Sequence, residues 1–272
     1  MLLTAINHMS APNLAWRDLL NAAAQLGCAG VEFRNDLATP LFSGEAPEVV
    51  ADAAREKGVR IVGLSQVYPF NSWSDAIAAE VQTLIATARA CGAETISLIP
   101  RNDGTQQGNG ERQANLRLAL REIRPMLIEA GMTALVEPLG FVRSSLRSKA
   151  ETIEAIEAVA SRDQFMIVHD TFHHFLAGGG EIFPDWTGII HVSGVVDQSL
   201  KPDEMEDEHR ILVDEHDRLG NVDQIAALMA GGFAGPVSME AFSPEVHALA
   251  DPVSALRASF EFIRNEIAVE TA

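Results

Sequence analysis

The stretch "ARACGAETISL" (residues 88–98) sets a glycine where a helical hydrophobic pattern stops and an apolar, strand-like run begins. Glycine readily takes the left-handed conformation that closes a helix, so this is the chemistry of a helix-to-strand turn. The same junction recurs as "AQLGCAGVEF" (24–33), "IEAGMTALVE" (128–137) and "MAGGFAGPVSME" (229–240). Working outward from these turns, short apolar runs predict strands at 3–6, 30–34, 60–65, 95–99, 133–137, 165–170, 188–193 and 236–241. Apolar residues at helical spacing predict helices over 13–27, 46–57, 74–91, 110–130, 149–160, 221–231 and 252–268. Repeated strand-helix units of about 30 residues indicate a (β/α)8 TIM barrel rather than an open doubly wound sheet. An open sheet would more often carry a glycine-rich turn after its first strand, and that turn reads "NHMSAPN" (7–13).

A chain of 272 residues, 47% of them hydrophobic, can spend its whole length on one such barrel, so one domain over 1–272 is expected. Two connections are long: the polar "RNDGTQQGNGERQ" (101–113) and an acidic loop at 197–220. Loops of that length in a barrel are usually lids or binding loops. The formal net charge of −18 repels phosphate backbones, and with no basic patch in the sequence a nucleic-acid partner is not expected. No stretch has the length and apolarity of a membrane span and the N-terminus lacks a signal-peptide pattern, so a cytoplasmic protein without a membrane partner is expected. Cys28 and Cys91 have neither disulfide-framework nor metal spacing and read as packing residues.

In a barrel of this kind, chemistry sits at the C-terminal ends of the strands. The last four predicted strands end in "ALVEPLG", "MIVHDTFH", "IIHVSG" and "VSMEAF", presenting Glu137, Asp170, His191 and Glu240. Pro138 keeps Glu137 out of the helical region of backbone space. Three carboxylates at one barrel mouth repel each other unless a positive charge lies between them, and one divalent cation is the simplest remedy. Three oxygen ligands and one imidazole suit Mn²⁺, the expected ion, or Zn²⁺, Co²⁺ or Mg²⁺.

Other polar residues divide by strand geometry. His169 and Asp170 face opposite sides of their strand, so His169 is expected among the helices as a packed, hydrogen-bonded residue, with His174 in packing or on the surface. Glu32 and Arg34 lie on one side of the second strand's end, where they could hold a polar substrate or pair with each other. Asn7, His8 and Gln66 are further candidates for the mouth, while His209 and His216 of the acidic loop are expected in solvent. The chain has three lysines, Lys57, Lys149 and Lys201, and none projects from a predicted strand end, which excludes a Schiff-base aldolase. The eighth loop, "AFSPEV", lacks the glycine-rich turn of many phosphosugar barrels and so favours an unphosphorylated substrate.

Taken together, "GVEFRND" (30–36), "EPLG" (137–140), "HDTFH" (169–173), "HVSG" (191–194), "EHR" (208–210) and "SMEAFSPE" (238–245) resemble the xylose-isomerase-like barrel superfamily of sugar isomerases and epimerases. The likeness covers almost the whole chain and is nearest to the inosose isomerases of inositol catabolism. It implies one divalent metal held by Glu137, Asp170, His191 and Glu240, with both glutamates also serving as the acid/base pair. It further implies that His173 and Arg210 contact substrate oxygens. One departure is the segment "ILVDEHDRLGN" (211–221) after the arginine, where relatives tend to have a short glycine-containing turn, so the resemblance leaves the closing geometry of the 197–220 loop open. The expected activity is metal-dependent isomerisation or epimerisation of an inosose or unphosphorylated ketose through an enediolate. A dehydratase of an inosose or dehydroshikimate-like substrate on the same site is the alternative.

Overall fold

In a computed structural model describing residues 2–105 and 108–270, the strands close into a parallel barrel in sequential order. They are β1 (Thr4–Asn7), β2 (Gly30–Arg34), β3 (Arg60–Val67), β4 (Thr95–Leu98), β5 (Thr133–Val136), β6 (Phe165–Asp170), β7 (Thr187–Val192) and β8 (Val237–Met239). Closure is made by β1 against β8, with Thr4 paired to Val237 and Ile6 to Met239. The helices around it are α1 (Trp16–Leu26), α2 (Pro47–Lys57), α3 (Asp75–Cys91), α4 (Asn109–Ala130), α5 (Lys149–Ala158), α6 (Thr171–Leu176), α7 (Asn221–Ala230), α8 (Pro244–His247) and α9 (Pro252–Glu270). All the predicted strands and helices are present within a few residues of their expected ends. The sequence reading lacked α6 and α8, which are too short to show a helical period. None of the described helices is long and apolar enough to cross a membrane.

The glycine junctions work as their composition predicts, with one exception. Gly27, Gly92 and Gly131 sit at φ 64°, 72° and 61°, and each N–H returns to the last carbonyls of its helix. At the fourth junction Gly231 keeps φ −79°, and Gly232 at φ 100° makes the left-handed turn instead. Ser74 and Ser148 cap the starts of α3 and α5 by accepting from the Ile77 and Glu151 N–H groups.

Three apolar clusters hold the described residues together, one of them made by Leu139, Phe141, Phe172, Leu176, Val195, Met205 and Leu219 around α6. The largest lies between barrel and helices and includes Leu20, Phe33, Ile85, Ile123, Phe165 and Phe260. A small one inside the barrel consists of Ala5, Val62, Leu135, Val168 and Ile189. This inner layer is the floor of the site. Because strand side chains repeat every two residues on one face, the residues two places on from Ala5, Leu135, Val168 and Ile189 are Asn7, Glu137, Asp170 and His191.

Candidate metal site

Glu137, Asp170, His191 and Glu240 do converge, and all four are buried. One ligand atom from each lies within 4.8 Å of every other. Asp170 and His191 are directly paired across β6 and β7, and the adjacent β7–β8 register pairs His191 with Ser238, two residues before Glu240. Glu137 follows β5, its N–H bonded to the Leu98 carbonyl at 3.2 Å.

Second contacts fix three of the four, Asp170, Glu240 and His191. Asp170 Oδ1 accepts from the His173 N–H at 2.8 Å, which caps α6 and sets His173 on its first turn. The other oxygen of Asp170 accepts from Arg210 Nη2 at 2.7 Å, and the same nitrogen reaches Glu240 Oε2 at 3.0 Å. Glu240 Oε1 accepts from Arg34 Nη1 at 2.6 Å and from Asn7 at 3.2 Å. His191 Nε2 lies 3.2 Å from Glu32 Oε2. That contact assigns the proton to Nε2 and turns the Nδ1 lone pair to the cluster, where Glu240 and Glu137 oxygens lie 3.2 and 3.7 Å away. Nδ1 is buried and makes no hydrogen bond of acceptable angle with either. A buried imidazole nitrogen without a hydrogen bond, facing three carboxylates and backed by a fourth, is a donor set that fits a divalent cation.

Electrostatics agree with that fit. Burial alone would push His191 down, but Glu240 and Glu32 raise it well above the ordinary imidazole range, so the field favours positive charge at this point. Burial and the neighbouring Glu240 push Glu137 above the usual carboxylate range. Burial opposes ionisation of Asp170 and Glu240, yet Arg210 holds the first below its usual value, and His191, Arg210 and Arg34 do the same for the second.

Above the cluster opens a cavity of about 260 Å³. Glu137, Glu240, His173, Arg34 and Arg210 line it, with Asp36, Gln66, Asn102 and Asp207 on the polar side and Leu139, Phe141 and Phe242 on the apolar side. Arg210 arrives from the acidic loop, and three contacts hold it in place. Its Nε donates to Ser193 Oγ at 2.9 Å, its guanidinium stacks between Phe172 and Phe242, and its carbonyl accepts from the Phe242 and Ser243 N–H groups. The backbone of Ile211 then bridges to Gly194. The 197–220 loop thus reaches the mouth through Arg210 and is tied to the end of β7 by Ile211. In the other long connection, 101–113, Gln106 and Gln107 lie outside the described residues.

Two sequence expectations need correction. Glu32 does not line the cavity: it is fully buried beneath His191, where it also accepts from Ser238 at 2.5 Å and Asn7 at 3.3 Å. It does not pair with Arg34 either, since that guanidinium forks onto Asp36 at 2.7 and 2.8 Å. The reason is side-chain length: Arg34 extends to the rim while Glu32, one step deeper on the same face, ends at floor level. Among the candidates for the mouth, Gln66 lines the cavity and Asn7 reaches Glu240, but His8 turns away to the Leu14 carbonyl at 2.9 Å. His169 is packed among the helices with Nε2 on Gln224 as expected, and His174 is buried. Asp36 and Ser238 were missed, although Asp36 follows the candidate Arg34 by two residues and Ser238 precedes Glu240 by two.

Gly140 sets the distance of α6 from this cluster. A Cβ there would overlap the His173 carbonyl oxygen and lie 2.6 Å from Leu176 Cβ. Gly140→Ala is expected to cost about 1–3 kcal/mol by overpacking. It should lower turnover together with the melting temperature, because the displaced helix carries His173; thermal melting and a rate assay check both.

The profile of the xylose isomerase-like TIM barrel family matches residues 20–266. No curated protein matches the sequence significantly. Among solved structures, a xylose isomerase domain containing protein from Salmonella typhimurium LT2 is 28% identical, superposes with a TM-score of 0.87, and the match covers 99% of this chain and 97% of that one. The IOLI protein, solved with a bound zinc atom, is 18% identical with TM-score 0.87 over 98% of this chain and 99% of its own. A D-allulose 3-epimerase from Methylomonas sp. is 17% identical with TM-score 0.72, covering 97% and 98%. At such identities the last two are similar in fold. With a family match over nearly its full length and a barrel closed in the same order as its strands, the chain belongs to the xylose isomerase-like TIM barrel family.

Proposed function

We propose that this protein isomerises or epimerises an unphosphorylated ketose or an inosose by moving a proton next to the carbonyl, with one divalent metal ion held by Glu137, Asp170, His191 and Glu240. The observation that carries the reading is the buried convergence of those four residues beneath a cavity lined by His173 and Arg210. The zinc atom of the IOLI protein and the ketose named for the allulose epimerase support a metal and a sugar of this class. A bound divalent cation supplies Lewis acidity to the substrate carbonyl.

The chain's own residues do the rest. One of Glu137 and Glu240, which come from opposite flanks of the β6–β7 pair, takes the proton from the carbon beside the carbonyl, and the electron pair passes to the carbonyl oxygen to give an enediolate. The other glutamate returns a proton to the neighbouring carbon or to the opposite face. Arg34 orients Glu240 from behind through its 2.6 Å bond. His173 and Arg210 donate to substrate oxygens, and Leu139, Phe141 and Phe242 form the apolar wall that excludes water. A cavity of about 260 Å³ takes one free sugar ring.

The deciding test is exchange of the substrate's α-hydrogen into deuterated solvent over a panel of inososes and free ketoses. At least one member should exchange and yield an isomer of unchanged mass. No exchange from any of them, or only products lighter by one water, overturns the proposal. A second expectation concerns Glu32: through its contact with His191 it acts on the metal from outside, so Glu32→Gln should weaken metal affinity about 10–100-fold. Competition with a chelating dye measures this directly.

A further inference from the structure

A second polar cavity, of about 290 Å³, lies on the other side of α6 and is lined by Arg147, Ser148, Lys149, His174, Gly179 and Glu181, among others. Consecutive helical residues point about 100° apart, so α6 gives His173 to the first cavity and His174 to this one.

Its charge is unusual for a protein of net charge −18. Lys149, the first residue of α5, is only 9% exposed, and its ammonium lies 2.9 Å from His174 Nδ1. An ammonium can only donate, so Nδ1 accepts and the neutral ring carries its proton on Nε2. That N–H makes no hydrogen bond among the described residues. Arg147 spends its guanidinium on two carbonyls, those of Gly140 at 2.9 Å and Leu176 at 3.2 Å, which leave its charge uncompensated. Neither cation forms an ion pair with a carboxylate among the described residues. Asp170 attracts Lys149 from a distance but is itself bonded to Arg210 at 2.7 Å. Burial draws the Lys149 ammonium down to about 8, which leaves it protonated at neutral pH. The one acidic side chain of the lining, Glu181, is exposed.

Two backbone features add to this field. Lys149 begins the ten-residue α5, whose N-terminal end carries partial positive charge. Facing it, the turn at Gly178, Gly179 and Gly180 runs through positive φ at all three positions, and a Cβ on any of them would meet nothing within 4 Å. The glycine turn thus has open space around it, and a buried cation without a counter-charge lines the same cavity.

We infer that this cavity binds a small doubly charged oxyanion, inorganic phosphate or the phosphate group of a monoester, between Lys149, Arg147 and the Nε2–H of His174. Such an anion supplies the counter-charge that the protein itself does not.

The three lysines make the test direct, because lysine-selective ¹³C labelling gives three ε-methylene signals, assigned through K57R and K201R. Inorganic phosphate, added at constant ionic strength, should move the Lys149 signal to saturation with a dissociation constant of about 1 mM or tighter, leaving Lys57 and Lys201 in place. R147Q should weaken binding by at least about tenfold, the loss of one charge-assisted contact. Tighter binding of glycerol 3-phosphate than of phosphate assigns the monoester as the ligand, and weaker binding assigns the free ion. A Lys149 signal unmoved by about 10 mM of either probe overturns the inference, as does unchanged affinity in a folded R147Q. The wild-type titration decides the matter even where R147Q fails to fold.

Discussion

Exhaustive chelation is expected to bring turnover down to the uncatalysed background, and Mn²⁺, Co²⁺ or Zn²⁺ to restore it. The size of this effect follows from the charge gathered at the site. Glu137, Asp170 and Glu240 point into one volume, Glu32 stands behind His191, and Arg34 and Arg210 offset only part of that negative charge. Burial makes residual repulsion costly. Removing a divalent cation takes away the Lewis acid and at the same time frees Arg210 and His191 to bridge the carboxylates. The assay is α-hydrogen exchange before and after dialysis against a chelator, with metal content measured in parallel. Exchange that persists at the same rate in protein shown to hold no metal would contradict the proposed chemistry.

Glu240→Gln should lower the exchange rate at least about 100-fold, the contribution expected of an acid/base residue. The side chain keeps its shape, but one metal ligand loses its charge and the proton acceptor is gone. Its neighbours explain why the fold should survive. Arg34 retains its fork onto Asp36, and Arg210 retains Asp170. The remaining cost is about 1–3 kcal/mol from weakened charge-assisted bonds at Arg34 and Arg210. Circular dichroism and a thermal melt should show a folded protein with a lower midpoint. His216→Ala, on a side chain 72% exposed in the acidic loop, serves as the inert control. A Glu240→Gln protein exchanging at near the wild-type rate would remove Glu240 from catalysis.

Much of this site is written in local sequence, and the reason is the period of the strand. Once "ALVE", "IVHD", "IIH" and "VSME" are recognised as strands, alternation alone turns Glu137, Asp170, His191 and Glu240 to the inner face, and barrel closure brings them together. The same alternation sends His169 outward to Gln224. Local reading was weakest where depth and reach matter. Glu32 and Arg34 share a face, yet one ends under His191 and the other at the cavity rim, a difference set by how far each side chain extends into a packed interior.

The sequence by itself thus determined the order of strands and helices, the glycine-closed turns and the four residues on the inner face. These depend on backbone conformation and on periods of two and 3.6 residues, both of which are local. Only the tertiary structure decided that Arg210 crosses from a long acidic loop to Asp170 and Glu240, that Glu32 sets the tautomer of His191, and that Lys149 lies buried beside His174. Those contacts join residues 40, 30, 159 and 25 positions apart. Their partners are chosen by which groups the closed barrel leaves within 3 Å or so of one another, a distance that no pattern along the chain encodes.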